Sequence, residues 1–489
     1  MTLRPAASPP YELLRRWTGP DRPWDGATLD SVLANAPARA DLVVEVGEDG
    51  AVGRRWSSAE VEAAVAALAG GLRDAGVAPG DAVAWRSGNR IGSLVAYRAC
   101  WRLGAVAAPI HHRAGEQEAA SIVERVAPRV VLDLDALPVG APVGPEESAA
   151  TPDGLAVVLF TSGSSGRPKG VLHTQRALAH KARLMATVHG LGAGDAVLMP
   201  APLAHVSGLL NGVLLPGVVS MKAVLMARWS AERALALIAV EDVSFMVGPP
   251  TFFVELLAAE GFTPAAVRSL RLISSGGAGV SPAFVRDAAE RLGARVKRSY
   301  GSTEAPTVAT TTAADTQEQA ATTDGRAVGE VELRLGATGE LEVRGPELFA
   351  GYLDAEDDTD AFTADRWFRT GDLATLDDGW LTIVGRSDDV IIRAGENVDP
   401  AEVAGALEAH PAVRQTVVLG EPDHRLGERV VAVVVADEPL DRDEARDWVV
   451  AQGLARFKAP DRVVQVDALP LLPAGKPDVA ALRTLLEPR

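Results

Sequence analysis

Leu155-Ala-Val-Val-Leu-Phe-Thr-Ser-Gly-Ser-Ser-Gly-Arg-Pro-Lys-Gly170 is an apolar segment followed at once by a run of small polar residues. The apolar part, residues 155–160, predicts a buried strand, and the glycines after it let the backbone turn tightly and expose its N–H groups. Hydroxyl side chains and Lys169 add donors and a positive charge, so the stretch predicts a polyphosphate-binding loop. The spacing of a Walker P-loop is absent. The alternative is a flexible Gly/Ser linker, but linkers rarely follow a buried strand so closely.

Short apolar strands alternate with helices along most of the chain. Ser57 to Glu60 forms a capping box ahead of an apolar-periodic helix, and Ser281-Pro282 is a typical helix start. Other strands are predicted at residues 81–85, 105–110, 130–134, 196–199, 244–247 and 270–273, and another helix at 91–103. This alternation predicts an α/β fold with a large, multi-layer N-terminal domain, whose mostly parallel sheets are covered on both faces.

In the second part of the chain, the pattern of polar and apolar residues changes twice. Residues 309–325 are polar and of low complexity and predict a surface loop, whereas the alternation from 329 to 343 predicts a small β subdomain. After a polar run near residue 385, a strand and a helix capped by Asp399 predict a compact α+β unit. We therefore expect an N-terminal domain of residues 1–385 and a C-terminal domain of residues 386–489.

The composition restricts the partners. The chain has 489 residues and a formal net charge of −17, so its surface repels nucleic acid and anionic membranes, and neither is expected as a partner. The apolar segment 207–226 includes Asn211, Pro216 and Lys222 and predicts a buried core segment rather than a membrane span. Cys100, the only cysteine, is expected to be a buried thiol, and the N-terminus has no apolar signal core, so a cytoplasmic location is expected.

The glycine-rich loop resembles the signature of the adenylate-forming (ANL) superfamily, which includes acyl-CoA synthetases, aryl-CoA ligases, adenylation domains of peptide synthetases and firefly-type luciferases. Further motifs similar to those of the superfamily follow in order over nearly the whole chain. They are Gly76-Val-Ala-Pro-Gly-Asp81, Pro202-Leu-Ala-His205, Ser275-Gly-Gly-Ala278, Tyr300-Gly-Ser-Thr-Glu304, Arg369-Thr-Gly-Asp-Leu373, Gly385-Arg-Ser-Asp388, Gly395-Glu-Asn-Val398 and Gly475-Lys476. One such motif is weak evidence, but the occurrence of all of them in the order found in the superfamily is strong evidence for the resemblance.

The resemblance implies an AMP-forming acid–thiol ligase that uses ATP, Mg²⁺ and coenzyme A. A carboxylate attacks the α-phosphorus of ATP and releases pyrophosphate, and the CoA thiolate then displaces AMP. The first step brings two anions together, which calls for Mg²⁺ and cationic donors. By resemblance, Lys476 stabilises the developing charge, Glu304 is the metal ligand, and Thr303 hydrogen-bonds the α-phosphate. Lys169 and His205 complete the expected catalytic set.

The resemblance also implies a nucleotide site. Tyr300 is expected against adenine, Asp372 is expected to accept hydrogen bonds from the ribose hydroxyls, and Arg386 is expected near the ribose or phosphates. The expected cofactor-binding residues are Thr161, Ser162, Gly163, Ser164, Ser165, Gly166, Gly276, Gly277, Ala278, Tyr300, Gly301, Ser302, Asp372, Arg386, Gly395 and Glu396.

In relatives, the C-terminal domain swings about a hinge between the two steps, which makes it a mobile lid. Asp388 is the expected hinge. Gly395 and Glu396 belong to the loop that this swing is expected to bring to the pantetheine arm of CoA, where a glycine allows close approach. The alternative for this loop is a plain β-turn.

The acid pocket is the least constrained part of the site. His205 is expected to orient the carboxylate or shape the tunnel, with core packing as the alternative, and His111 and His112 are interpreted as structural. The expected lining is His205, Val206, Leu209, Val247, Ser274 and Gly301. This set is mostly apolar, and Gly301 stands where acetate-specific relatives place Trp, so we expect a medium-chain, cyclic or aromatic acid rather than a dicarboxylate.

Three alternatives stay open at the level of sequence. The acyl acceptor is either CoA or the pantetheine of a carrier protein, which is the other possible partner beside the small acid. The enzyme performs both half-reactions or retains only one. A non-catalytic nucleotide sensor is the third alternative, which the joint presence of Lys476, Glu304 and Asp372 disfavours.

Overall fold

The computed structural model describes residues 26–161, 168–277, 279–386, 391–393, 396–423, 425–472 and 475–486. Within these residues, one sheet has six strands and is mainly parallel. Its strands, in spatial order, are Gly351–Tyr352, Lys169–Thr174, Leu155–Thr161, Val106–His111, Ala82–Ser87 and Val130–Leu132. The strands predicted near 81, 105, 130 and 155 are therefore confirmed, with ends shifted by one or two residues.

A second sheet has nine strands in the described part of the chain. Its central strands are parallel to one another, and its edge strands are antiparallel to their neighbours. Its strands, in spatial order, are Arg326–Ala327, Ala309–Thr310, Arg295–Tyr300, Leu272–Gly276, Phe245–Gly248, Ala196–Met199, Lys222–Met226, Val43–Val46 and Val52–Trp56. The central strands are buried on both faces, as parallel strands covered by helices should be.

Helices cover both sheets, and their predicted starts are confirmed. Ser57 caps one helix with a complete capping box, and Ser281 caps another whose first residue is Pro282. The α-helices of this part of the chain are Leu29–Ala34, Ser58–Asp74, Ile91–Arg102, Glu116–Val126, Gln175–His189, Val206–Gly208, Leu215–Val219, Ala231–Glu241, Pro250–Ala258, Pro282–Leu292 and Gln317–Thr322. Short 3₁₀ turns occupy Pro145–Glu147 and Ala355–Asp358, and a π-helix occupies Leu209–Leu214.

Cys100 lies in the helix Ile91–Arg102 and is fully buried, and burial raises the pKa of its thiol. The segment 207–226 is mostly buried, as expected for core. None of the helices in the described residues is long and apolar enough to span a bilayer.

The predicted loop at 309–325 is wrong in part. Ala309–Thr310 is a strand of the nine-stranded sheet, and Gln317–Thr322 is a helix with a capping box between Thr316 and Gln319. Near its end lies Asp324, which is buried and accepts two hydrogen bonds from Arg298 at 3.0 and 2.8 Å. This pair holds the segment against the sheet, which the polar composition did not indicate.

The predicted β subdomain is a four-stranded antiparallel sheet of Glu332–Leu335, Glu340–Arg344, Phe368–Asp377 and Trp380–Arg386. Beyond it, another sheet joins Glu396–Val398, Ile391–Arg393, Gly427–Ala436, Val413–Asp423 and Arg462–Gln465. The helices Pro400–Glu408, Arg442–Ala451 and Val479–Leu486 pack with this last sheet, and Arg456–Lys458 is a 3₁₀ turn. The α/β architecture predicted from the sequence is thus confirmed.

Candidate active site

Several of the predicted site residues lie at the carboxyl ends of parallel strands. Thr161 and His111 end neighbouring strands of the six-stranded sheet, and Gly276 and Tyr300 end neighbouring strands of the nine-stranded sheet. Ligands of open α/β sheets bind outside these carboxyl ends, where loops carry polar groups into a crevice. The fold therefore collects these residues at one end of each sheet.

Tyr300 and Asp372 meet across two sheets. The Tyr300 hydroxyl donates to Asp372 Oδ2 at 2.5 Å, and Arg386 Nε lies 3.7 Å from Asp372 Oδ1. Asp372 and Arg386 face each other in the register of the four-stranded sheet. Burial, and next the Asp372 carboxylate, raise the pKa of Tyr300, so its hydroxyl stays protonated and donates. A carboxylate can accept more than one hydrogen bond at a time, which suits recognition of a diol.

Tyr352 connects two other predicted residues. Its hydroxyl donates to Glu304 Oε1 at 2.8 Å, while Lys169 Nζ lies 5.1 Å from the centre of its ring and 3.8 Å from Asp357 Oδ1. Burial, and next Glu304, raise the pKa of Tyr352. Lys169 and Glu304 therefore both contact Tyr352, a residue that no sequence motif marked as part of the site.

The donor groups around Glu304 decide whether it can hold a metal ion. No cluster of three His, Cys, Asp or Glu that could hold a metal occurs in the described ranges. One Glu304 oxygen accepts from Tyr352, and among the described residues the second accepts no hydrogen bond. Mg²⁺ is commonly held by one or two carboxylates with waters and phosphate oxygens, so the single carboxylate of Glu304 is a donor of the kind that this ion takes.

His173 fixes the turn that carries Thr303 and Glu304. Its ring nitrogen Nε2 donates to the Thr303 carbonyl at 2.7 Å, and burial lowers the pKa of His173 to about 4, so the ring is neutral. Ser302 closes the same turn, since its N–H donates to the Ala305 carbonyl at 3.0 Å. The role of His173 could not be predicted from the sequence, because its hydrogen-bond partner is 130 residues away.

Lys476 reaches this site from the C-terminal part of the chain. Gly277 has a φ of +77°, and a Cβ there would lie 3.1 Å from Lys476 Cε, so glycine permits the contact. Thr251 Oγ1 donates to the Gly475 carbonyl at 2.7 Å and anchors the turn before the lysine. Lys476 as a whole residue is exposed, whereas desolvation of its ammonium group, and next the charge of Arg386, lower the pKa of that group, and Asp372 opposes them.

The positive charge of Lys476 acts on His205. Burial, followed by the charges of Lys476 and His112, lowers the pKa of His205 to about 4, so the imidazole is neutral near pH 7. Its ring centre is 5.3 Å from that of His111. A neutral imidazole can donate or accept one hydrogen bond at each nitrogen, which suits a carboxylate approaching Lys476.

The residues expected around the acid differ in their surroundings. Leu209 and Ser274 are buried, whereas Val206 and Val247 are half-buried against the same core cluster. The role expected for Gly301 in setting the depth of the pocket is wrong, because a Cβ there would lie 2.2 Å from the backbone nitrogen of Thr307. Its missing side chain therefore points at backbone rather than into open space, and the size of residue 301 does not set the depth of a pocket.

Other predicted residues fall outside the described residues: Ser162, Gly163, Ser164, Ser165, Gly166, Ala278, Asp388 and Gly395. Glu396 is exposed, and it lies opposite Arg393 in the register of two short antiparallel strands.

The other lysines have structural partners. Lys181 Nζ lies 2.7 Å from buried Glu347, and Lys222 Nζ lies 3.1 Å from buried Glu241. Lys297 donates to the Thr311 carbonyl at 2.5 Å, and Lys458 pairs with Glu402. Lys169 and Lys476 thus differ from the rest in lying beside the predicted site.

The family model described as AMP-binding enzyme matches residues 32–139 and 133–353, and the model described as AMP-binding enzyme C-terminal domain matches residues 402–476. The medium-chain fatty-acid–CoA ligase of Escherichia coli is 28% identical, over 93% of this chain and 89% of that protein. The indoleacetate–CoA ligase of Aromatoleum aromaticum is 32% identical, over 86% of this chain and 92% of that protein. ATP-bound MatB from Rhodopseudomonas palustris is 27% identical with a TM-score of 0.82, over 94% of this chain and 99% of that chain.

The matched models span most of the chain, and the relatives align over nearly their whole length. The chain belongs to the AMP-binding enzyme family, within the adenylate-forming superfamily, and is an AMP-forming acid–thiol ligase of the acyl-CoA synthetase type.

Proposed function

We propose that this protein activates a medium-chain, cyclic or aromatic carboxylic acid with ATP and transfers the acyl group to coenzyme A. The observation that carries this proposal is the position of Lys476, whose Cε would lie 3.1 Å from a Cβ at Gly277 and whose ammonium interacts with Asp372 and Arg386. Two anions must meet here in the first half-reaction, and a cation held between them lowers the barrier.

In the first half-reaction, Lys476 donates to the oxygens on which charge develops between carboxylate and α-phosphate. Its lowered pKa reflects a desolvated ammonium, and an arriving phosphate would favour the protonated form again. Lys169 and the loop from Thr161 to Gly166 hold the β- and γ-phosphates, and Thr303 donates to the α-phosphate. Glu304 would hold Mg²⁺, which neutralises phosphate charge when bound.

The nucleoside is held by the residues that join the sheets. Asp372 accepts hydrogen bonds from the ribose hydroxyls and another from the Tyr300 hydroxyl. The Tyr300 ring lies against adenine. Gly276, Gly277 and Ala278 line the edge of the base with backbone, and Arg386 stays near the ribose. The hydrogen bond of 2.5 Å between Tyr300 and Asp372 supports this assignment because it fixes the carboxylate before the ribose arrives.

The second half-reaction requires a different surface of the C-terminal part. We place the domain boundary after residue 385 and the hinge at Asp388, so that residues 386–489 rotate as a lid. The rotation withdraws Lys476 and presents Gly395 and Glu396 to the pantetheine arm. Such alternation lets one site carry out two reactions in turn.

The apolar residues expected to line the pocket and the names of two relatives support the proposed class of acid. Val206, Leu209 and Val247 are apolar and belong to or border one core cluster. Two of the similar proteins are named for a medium-chain fatty acid and for indoleacetate, both largely apolar acids. An apolar lining favours such substrates over dicarboxylates, since a second carboxylate would be buried without a partner.

The experiment is the purified protein with ATP, Mg²⁺ and a panel of acids, with pyrophosphate and acyl-CoA measured separately. Release of both with a medium-chain, cyclic or aromatic acid supports the proposal. Pyrophosphate without acyl-CoA indicates a carrier protein as acceptor. If neither product forms but a synthetic acyl adenylate yields acyl-CoA, the protein retains only the second half-reaction and the role of Lys476 is wrong.

A further inference from the structure

Arg125 lies in the last turn of the helix Glu116–Val126, in a stretch that no sequence motif marks. Its side chain is 13% exposed and makes three contacts. Nη1 donates to the Pro168 carbonyl at 2.6 Å, Nη2 donates to Asp354, and the guanidinium carbon lies 5.4 Å from the centre of the Phe160 ring. One side chain therefore joins residues 160, 168 and 354.

Two of these contacts flank the phosphate loop. The antiparallel strands on either side of the loop pair as far as Thr161 and Lys169. Pro168 is the next residue beyond this pair, and proline has no N–H with which the pairing could continue. Its carbonyl oxygen is bound by Arg125 instead. Arg125 thus holds the chain at the first position of the loop that the strand pairing does not reach.

The hydrogen bond to Pro168 also fixes the backbone of Lys169. The Pro168 carbonyl belongs to the peptide bond that joins these two residues, and a peptide bond is planar. Holding this oxygen therefore holds the Lys169 N–H on the other side of the same bond. The Phe160 ring, on the strand that enters the loop, lies within cation–π distance of the guanidinium and limits its movement. Arg125 thus sets where the Lys169 side chain starts.

The contact with Asp354 reaches the groups around the other end of Lys169. The strand that ends at Tyr352 pairs with the strand that begins at Lys169, and Asp354 follows two residues later. The Lys169 ammonium lies 5.1 Å from the centre of the Tyr352 ring and 3.8 Å from Asp357. Through Asp354, Arg125 therefore anchors the short segment that supplies both neighbours of this ammonium.

We propose that Arg125 is a positioning residue for the triphosphate of ATP: by holding Pro168 and Asp354 together, it directs the Lys169 ammonium toward the β- and γ-phosphates. The role rests on the proposed function, which assigns these phosphates to Lys169. Arg125 acts through Lys169 and is assigned no contact with the nucleoside or the acid. Its loss should therefore weaken the binding of ATP and spare ligands that lack the β- and γ-phosphates.

Two variants remove the contacts of Arg125. Arg125→Met keeps a long apolar side chain beside Phe160 and removes every donor. Arg125→Lys keeps the positive charge but loses the planar fork that reaches a carbonyl and a carboxylate together. It tests the same role if the methionine variant does not fold, and unfolding temperatures show which variants retain the fold.

Arg291 offers a matched control in the last turn of another helix. Its Nη2 donates to the Leu257 carbonyl at 2.7 Å, and its guanidinium carbon lies 5.4 Å from the centre of the Phe262 ring. The next strand begins at Arg295 and reaches the site only at its far end, with Tyr300. Arg291→Met therefore removes contacts of the same kinds at a place with no assigned role in nucleotide binding.

The first readout is the affinity for nucleotides, measured by calorimetry with Mg²⁺ and without an acid. We expect Arg125→Met to bind ATP about tenfold or more weakly than wild type, the scale of one lost hydrogen bond to a charged group. The affinity for AMP, which has no β- or γ-phosphate, should stay within about twofold, well under the effect of one such bond. Arg125→Lys should show the same selective loss to a smaller extent, and Arg291→Met should bind both nucleotides as wild type does.

The second readout separates the half-reactions. With an acid that supports turnover, Arg125→Met should raise the KM for ATP in pyrophosphate release and leave the conversion of a synthetic acyl adenylate to acyl-CoA close to wild type. Equal losses of ATP and AMP affinity in Arg125→Met, unchanged affinity for both, or an equal loss of ATP affinity in Arg291→Met overturns the role of Arg125 alone. A wild-type protein that binds neither nucleotide contradicts the proposed function, and with it the role that rests on it.

Discussion

Single hydrogen bonds decide how the site residues are oriented, and Tyr352 shows this most clearly. It supplies the hydroxyl that holds Glu304 and the ring beside Lys169. Neither contact follows from the sequence, because residues 304 and 352 are joined only by the fold. A single tyrosine without a local motif gives no signal, whereas Lys476, Glu304 and Asp372 were found because each lies in a recognisable motif.

We predict that Tyr352→Phe lowers the rate of pyrophosphate release about tenfold, because one hydrogen bond to a charged group is worth about 1.5–3 kcal/mol. The ring beside Lys169 is kept, so the loss should appear as a weaker apparent affinity for Mg²⁺ rather than as a lower unfolding temperature. Titration of the initial rate with Mg²⁺ checks this. An unchanged Mg²⁺ dependence would show that Tyr352 does not support Glu304 as a metal ligand.

At the scale of elements, helices and strands with a periodic apolar pattern or a visible cap were predictable from the sequence. The structure of the polar segment 309–325 was not. The helix starts at Ser57 and Ser281 carry caps that the sequence displays directly. The helix Gln317–Thr322 has a capping box as well, between Thr316 and Gln319, but its buried residues are alanines. Small buried residues produce little hydrophobic contrast, so composition suggested a loop where tertiary contacts form a helix and a strand.

The buried ion pair that fixes this segment gives a test of its importance. We expect Asp324→Ala to destabilise the protein by about 3–5 kcal/mol, because Arg298 would remain buried without its partner. Glu318→Ala on the neighbouring helix removes an exposed pair with Arg286 and should destabilise the protein far less, because water screens exposed pairs. Denaturant unfolding measures both. Equal losses would mean that the segment is not anchored by Asp324.

At the scale of the whole molecule, the structure presents Lys476 to the site, and the helix Pro400–Glu408 contacts the helix Pro282–Leu292. Glu408 lies at this contact within hydrogen-bond reach of Ser281, and burial raises the pKa of its carboxyl to about 7. A pKa raised by docking means that docking favours the protonated carboxyl. This contribution is fully present below the ordinary pKa of Glu and is lost as the pH rises through about 7.

Glu408→Gln should therefore mimic the protonated side chain. We predict that pyrophosphate release by this variant equals that of wild type near pH 5 and exceeds it severalfold above about pH 7, since only wild type loses docking there. Glu402→Gln on the same helix is the control, because Glu402 is exposed and pairs with Lys458. A ratio of Glu408→Gln to wild type that stays constant with pH would exclude Glu408 from domain docking.

The central claim is that Lys476 serves the first half-reaction and withdraws for the second, and Lys476→Ala tests it most directly. With the best acid of the panel, we predict that pyrophosphate release falls about 10²-fold or more, as for loss of a group that stabilises developing charge. Conversion of a synthetic acyl adenylate to acyl-CoA should stay close to wild type, and Lys458→Ala should leave both reactions unchanged. Equal loss in the two half-reactions, or undiminished pyrophosphate release, would contradict the account.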